Sequence, residues 1–264
     1  MRTPVVLTIS GHDPTGGAGI QADIEAIIAT GCRAASAVTC LTIQDTADVY
    51  RVAASDPRLL DGQIRTLLAD VHVAACKIGL IPDMACLLVI SGVLQENPGI
   101  PVVLDPVLAS GAGTELAGNR LIAGFMEHLM PWVTLITPNS IEARRLSGAH
   151  RLDNCGMELL AQGCQAVLIT GTHESDQCVI NRLYQKDAAV IESSWPRLQA
   201  SFHGSGCTLA ASAAAYIARG FSLAAAVDKA LEYTWASLSH GDQLGKGQLL
   251  PDRLFTWRRH NESD

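Results

Sequence analysis

The chain has 264 residues, 48% of them hydrophobic, which is enough to bury one substantial core in one large domain or two small ones. Nineteen basic against 26 acidic residues give a formal charge of −7 with no basic block, which argues against a nucleic-acid partner. No run approaches the roughly eighteen apolar residues of a membrane span, and the apolar start reaches Gly11-His12-Asp13 too early for a secretion signal. The eight cysteines are scattered without a Cys-x-x-Cys pair, so they read as reduced thiols of a cytoplasmic protein and not as a zinc site.

In chain order, apolar runs predict strands at Val5–Ser10, Ala34–Leu41, Ala74–Leu80, Pro101–Leu104, Val133–Thr137 and Ala166–Thr170. Between them, helical patterns fall at Gly19–Thr30, Pro57–Ala69, Met84–Gln95, Ala117–Met130 and Ile141–Leu146. The strands are continuously apolar, as a parallel sheet covered by helices on both faces requires. The alternation predicts one doubly wound α/β domain. Gln177–Tyr184 and Ala188–Glu192 predict an antiparallel edge hairpin, and helices at Ala210–Ala218 and Leu223–Leu238 close the domain near residue 241. Residues 242–264 turn polar and punctuated by Gly and Pro, which predicts an irregular, partly packed tail.

Ligands of such sheets sit beyond the carboxyl ends of the strands. Here those ends carry Gly11 to Ile20, Thr42 to Thr46, Leu80, Asp105-Pro106-Val107, Pro138 to Glu142 and Gly171 to Glu174. Polar and glycine residues from distant segments thus gather on one edge, which points to an enzyme. The first loop lacks both the dinucleotide spacing and a Gly-Lys-Ser/Thr ending, so it reads as a substrate-closing loop. Asp23, in the helix that follows, either accepts from a substrate amino group or complements the helix dipole.

His203-Gly204-Ser205-Gly206-Cys207-Thr208 opens directly into an Ala-rich helix. Its unpaired N–H groups and the helix dipole favour a phosphate, and a cysteine there could act as base or nucleophile. A capped core helix with a buried thiol is the other reading. Asp105, ending an apolar run, is either a loop cap or, with Glu142, a Mg²⁺ site. Lys77, among apolar neighbours, must reach a pocket or snorkel. Asn139 stands at capping-box spacing from Glu142.

Together these segments resemble the hydroxymethylpyrimidine/phosphomethylpyrimidine kinases of thiamine biosynthesis, within the ribokinase-like superfamily. The resemblance runs through Ser10 to Asp23, Val38 to Thr46, Lys77 to Leu80, Asp105 to Val107, Thr137 to Ala143 and His203 to Leu209, in order over roughly residues 5–240. It implies a three-layer fold with a mostly parallel central sheet and a small antiparallel edge hairpin. It also implies an ATP- and Mg²⁺-dependent transfer to 4-amino-5-hydroxymethyl-2-methylpyrimidine, then to its monophosphate, by a homodimer.

Carried over by position, Asp23 and Gln44 would bond the aminopyrimidine, with Gly11, Ala18, Leu80 and Val107 around it. Cys207 would be the base, its pKa lowered by the helix terminus, and Gly204, Ser205, Gly206 and Cys207 would supply the anion hole. Asp105 and Glu142 would organise Mg²⁺, while Asn139, Thr170, Gly171 and Lys77 would face the nucleotide.

Three departures stand out. Thr170-Gly171-Thr172-His173 replaces the frequent Lys-Gly-Gly-His and removes a positive charge, which Lys77 or an arginine would have to supply. Leu80 replaces a common methionine, and His12-Asp13 replaces the frequent Ser-Asp. A pyridoxal or pyridoxine kinase of the same fold is the competing activity, and a non-catalytic pyrimidine sensor is the competing class.

Overall fold

The computed structural model describes residues 2–111 and 113–261. Its strands are β1 (Val5–His12), β2 (Arg33–Gln44), β3 (Val49–Ala54), β4 (Val73–Ile78), β5 (Val102–Leu104), β6 (Leu135–Ile136), β7 (Ala166–Ile169), β8 (Cys178–Gln185) and β9 (Ile191–Pro196). They form one sheet in the order β3-β2-β1-β4-β5-β6-β7-β8-β9. β2, β1, β4, β5, β6 and β7 run parallel, while β3, β8 and β9 join as antiparallel neighbours.

The period of two inside each central strand sorts its apolar side chains to two cores. Leu7, Ile9, Ile78, Val102 and Leu104 face one core, while Val6, Val103, Leu135 and Leu168 face the other. The first core is closed by α2 (Pro57–Asp70), α3 (Met84–Glu96), α4 (Asn119–Gly124), α5 (Ser140–Ser147) and α6 (Leu152–Ala161). The second is closed by α1 (Gly19–Ala29), α7 (Ser205–Ala218) and α8 (Leu223–Ser239). Residues 207–215 of α7 are all buried, and alanine is what lets that helix lie so close to β4 and β5.

This is the expected three-layer arrangement, a mostly parallel sheet with helices on both faces. It differs from expectation in several places. β3 is an additional strand whose residues are largely exposed, so no apolar alternation announces it. α6 is also additional, and its N-cap Arg151 makes no side-chain cap. The helix expected over Ala117–Met130 is α4 followed by a π turn (Phe125–Leu129) and a 3₁₀ turn (Met130–Trp132). α7 begins at Ser205, inside the glycine turn, five residues before the expected Ala210.

The tail is more ordered than expected. Leu249 and Leu250 bridge to Phe202 and Asp242, and α9 (Phe255–Asn261) follows. Residues 262–264 of that tail lie outside the described residues. No helix among the described residues is long and apolar enough to cross a membrane.

Candidate active site

A cavity of about 550 Å³ opens at the carboxyl ends of the parallel strands. Its wall brings together Gly11, Ala18, Gln44, Leu80, Val107, Asp105, Glu142, Asn139, Thr170 and the turn Gly204–Cys207. Residues up to 196 positions apart are therefore neighbours because parallel strands all end on one edge.

Gly204 caps α7 in the left-handed conformation, φ 82°. A Cβ there would fall 1.9 Å from the Gly17 carbonyl oxygen, so only glycine lets the two loops meet. The helix has no side-chain cap, so its first amides keep their capacity for an anion.

Asp105 and Glu142 provide the acidic part of the wall. One Asp105 oxygen, Oδ2, is buried without a hydrogen-bond partner. Burial raises the Asp105 pKa, with Lys77 opposing. Glu142 is pushed up to about 8, first by burial and then by the charge of Asp105. Its carboxylate accepts the Asn139 N–H at 3.0 Å and the Leu108 N–H at 3.3 Å. The Asn139 side-chain oxygen accepts from the Ile141 and Glu142 amides, completing the capping box and leaving Nδ2 as its available donor.

Two mutually repelling carboxylates with an unpartnered oxygen fit a hard divalent cation. No third His, Cys, Asp or Glu joins them among the described residues. A cation held there would complete its shell with water and phosphate oxygens, as Mg²⁺ usually does.

Three of the expected contact residues do not line the cavity. Asp23 is 0% exposed and absent from the cavity wall. Its carboxylate accepts from Thr8 Oγ1 at 2.5 Å and pairs with Lys77 Nζ at 2.8 Å. Lys77 is equally buried, 4.0 Å from Asp105, and it too is absent from the cavity wall. Burial alone would lower its pKa, but Asp23, Cys207 and Asp105 hold it above the ordinary lysine range. Gly171 also lies off the wall, where a Cβ would strike the Ile180 carbonyl at 2.2 Å.

The Cys207 thiol departs from expectation too. Burial pushes its pKa above the ordinary range, Lys77 opposes, and Asp105 and Asp23 push it further. The helix terminus does not win, and the resting thiol is protonated.

Other wall residues carried no sequence signal. Trp195 and Trp235 stack with ring centroids 5.9 Å apart beside Leu231, Thr234 and Leu238. Trp195 Nε1 and Thr234 Oγ1 are buried there without partners. Arg197 is the one lysine or arginine among the described wall residues. It donates to the carbonyls of Thr172, Glu174 and Asp176 at 2.7, 2.9 and 3.1 Å, which shapes the loop after β7.

At the opposite end, His203 Nε2 lies 2.8 Å from Asp13 Oδ2 and 3.2 Å from the Gln44 amide. Burial of Asp13 works against its charge, but bonds from His203 and Thr15 lower its pKa overall, so it is ionised and accepts the hydrogen bond from His203 Nε2. Gln44 is then best satisfied with its oxygen toward the ring and its NH₂ toward the cavity.

Phosphoryl transfer is served by such a placement of amides and carboxylates at the mouth of a parallel sheet, and the chain is an ATP-dependent kinase of the ribokinase-like superfamily. The match to the family model described as phosphomethylpyrimidine kinase covers residues 13–252, and the chain belongs to that family.

It is 35% identical over 254 residues to the hydroxymethylpyrimidine/phosphomethylpyrimidine kinase of Synechococcus elongatus, covering 94% of this chain and 96% of that protein. The corresponding Escherichia coli enzyme is 33% identical over 253 residues, with 94% and 95% covered. Among solved structures, the Bacillus subtilis pyridoxal kinase in its ADP complex is similar with TM-score 0.87 and 27% identity, covering 96% of this chain and 98% of that one. The phosphomethylpyrimidine kinase of Clostridium difficile follows with TM-score 0.78 and 29% identity, covering 89% and 100%. Membership of that family implies use of ATP and Mg²⁺.

Proposed function

We propose that the chain transfers the γ-phosphoryl group of ATP to the 5-hydroxymethyl oxygen of 4-amino-5-hydroxymethyl-2-methylpyrimidine, and then phosphorylates the monophosphate to the diphosphate, in thiamine biosynthesis. The observation carrying this reading is the shared cavity. The anion-binding turn Gly204–Cys207 opens onto the same space as the pocket of Gly11, Ala18, Gln44, Leu80 and Val107. The names of the 33–35% identical relatives favour a pyrimidine acceptor over pyridoxal.

The chain's own groups divide the work. Amides of Ser205, Gly206 and Cys207 receive charge spread over the equatorial oxygens of the transferred group, already oriented before reaction. Asn139 Nδ2, Thr170 and the amide-rich loop shaped by Arg197 face the nucleotide, with the Trp195–Trp235 stack available to its flat base. Asp105 and Glu142 would hold Mg²⁺, which neutralises phosphate charge when bound. Gln44, oriented through His203 and Asp13, donates to a ring nitrogen of the acceptor. Cys207 stands nearest the transfer point as proton acceptor. Because its thiol rests protonated, it can take the hydroxyl proton only after giving up its own, so it serves as acceptor in the thiolate form alone.

A homodimer in a reducing cytoplasm completes the reading. Leu41 and Ile43 of β2 and Tyr50 of β3 are 58%, 60% and 64% exposed on one arm, and the eight cysteines are free. Light scattering would show twice the chain mass, and a monomer would remove the dimer.

The decisive experiment is a steady-state assay with Mg²⁺–ATP and hydroxymethylpyrimidine, its monophosphate or pyridoxal. Phosphorylation of both pyrimidines is expected. Failure on both overturns the assignment, and turnover of pyridoxal alone establishes the rival. The rival reading draws its support from the 0.87 TM-score to pyridoxal kinase.

A further inference from the structure

Arg253 is 2% exposed, although it lies in the tail and one residue beyond the span matched by the family model. Its guanidinium reaches four acceptors on three separate segments. Nη1 donates to the Gly16 carbonyl at 3.3 Å and to Glu25 of α1 at 3.1 Å, and Nη2 donates to the Gly17 carbonyl. Nε donates to Thr208 Oγ1 at 2.8 Å, and that hydroxyl in turn donates to the Gly204 carbonyl at 2.9 Å. No other backbone bond in the described structure is made to the Gly16 and Gly17 carbonyls, so the fork satisfies groups that would otherwise be orphaned.

The chain on either side of Arg253 is itself held. Leu249 pairs with Phe202 beside the phosphate turn, and His203 N–H donates to the Leu249 carbonyl at 2.9 Å. Tyr233 Oη of α8 donates to the Arg253 carbonyl at 2.8 Å. The guanidinium therefore arrives at the junction of the two glycine turns from a fixed anchor.

We propose that Arg253 is a positioning residue that locks the Gly16–Gly17 loop to the first turn of α7, setting the distance between the acceptor pocket and the phosphoryl-binding amides. The inference rests on the kinase reading for its kinetic part alone. A guanidinium spans these acceptors because its donors form a rigid planar fork, whereas an ammonium is a point charge that satisfies one or two of them. A loop misplaced by about an ångström costs on the order of 100-fold in rate.

The test uses the full chain as wild type, Arg253→Lys and Arg253→Ala. Amide hydrogen exchange of the unliganded proteins is expected to quicken by about tenfold or more at residues 14–19 and 204–208 in both variants, with β4 and β5 unchanged. In steady state, kcat/KM for the acceptor falls about 100-fold while the KM for ATP stays within about twofold. Added guanidinium ion restores part of the loss to Arg253→Ala and none to Arg253→Lys.

Unchanged exchange at both turns in Arg253→Lys overturns the proposal. So does a parallel rise of both KM values with quickened exchange across the whole sheet, since that describes general destabilisation. If the wild type turns over no acceptor, the substrate assignment fails, while the exchange experiment still decides the role of Arg253.

Discussion

The Gly17 carbonyl oxygen occupies the space that a Cβ on Gly204 would need, 1.9 Å from its ideal position. The Gly16–Gly17 loop and the Gly204 turn are thus in direct backbone contact. Gly204→Ala forces a left-handed φ on a residue with a side chain, costing about 1–3 kcal/mol, and also drives the loops apart. Turnover is expected to fall by about 100-fold or more, since the anion-binding amides lose their aim. Steady-state kinetics beside a thermal melt decide it, and a folded variant with normal kcat would refute it.

Cys207→Ala is expected to lower kcat by roughly 100-fold or more while leaving pyrimidine affinity within a few-fold. Calorimetric titration with the pyrimidine separates the two quantities. Because burial raises the Cys207 pKa, alkylation near neutral pH should label exposed Cys178 first. Rapid loss of activity on labelling Cys207 would show that the thiolate is already present.

The acidic pair predicts a pH-dependent response to Mg²⁺. Glu142 titrates near 8 when folded against an ordinary 4.5, so between those values the folded chain binds more protons than the unfolded one. Stability of the metal-free protein must fall as pH rises through that window. A divalent cation replaces the proton, so its stabilising shift in Tm should be larger at pH 8 than at pH 5. An equal shift at both values would remove Glu142 from the cation site.

Lys77→Met leaves Asp23 buried without its cation, and only Thr8 still bonds that carboxylate. A loss of about 3–5 kcal/mol is expected, of the size seen on breaking a buried pair. Asp23→Asn together with Lys77→Met should recover part of it. Urea unfolding of the single and double variants provides the cycle, and additive losses would contradict the pairing.

The parallel sheet was legible because strands buried on both faces are continuously apolar, and the convergence of Asp105, Glu142 and the Gly204 turn followed from where those strands end. β3 was hidden because its exposed residues carry no alternation. Lys77 announced its burial through Ala74, Ala75, Cys76 and Ile78, but its partner lies 54 residues away on a helix face. That distance in sequence is why the residues alone left Asp23 between a substrate contact and a helix-dipole role, with no sign of the lysine. Trp195, Trp235 and Arg197 reach the cavity from the edge hairpin and α8, with no motif to mark them. The rise in the Cys207 pKa depends on burial and on carboxylates from two other elements, none of which is visible in the turn itself.

The bond from Arg253 to Gly17 joins residues 236 positions apart. At about 5–20 residues per second, a ribosome needs roughly 10–50 seconds between making one and the other. During that interval the nascent chain can pair β1 with β2 and β4 and bury much of both cores, yet its glycine loop has no guanidinium to rest on. Binding competence is therefore set by synthesis of the tail, well after most of the sheet can exist.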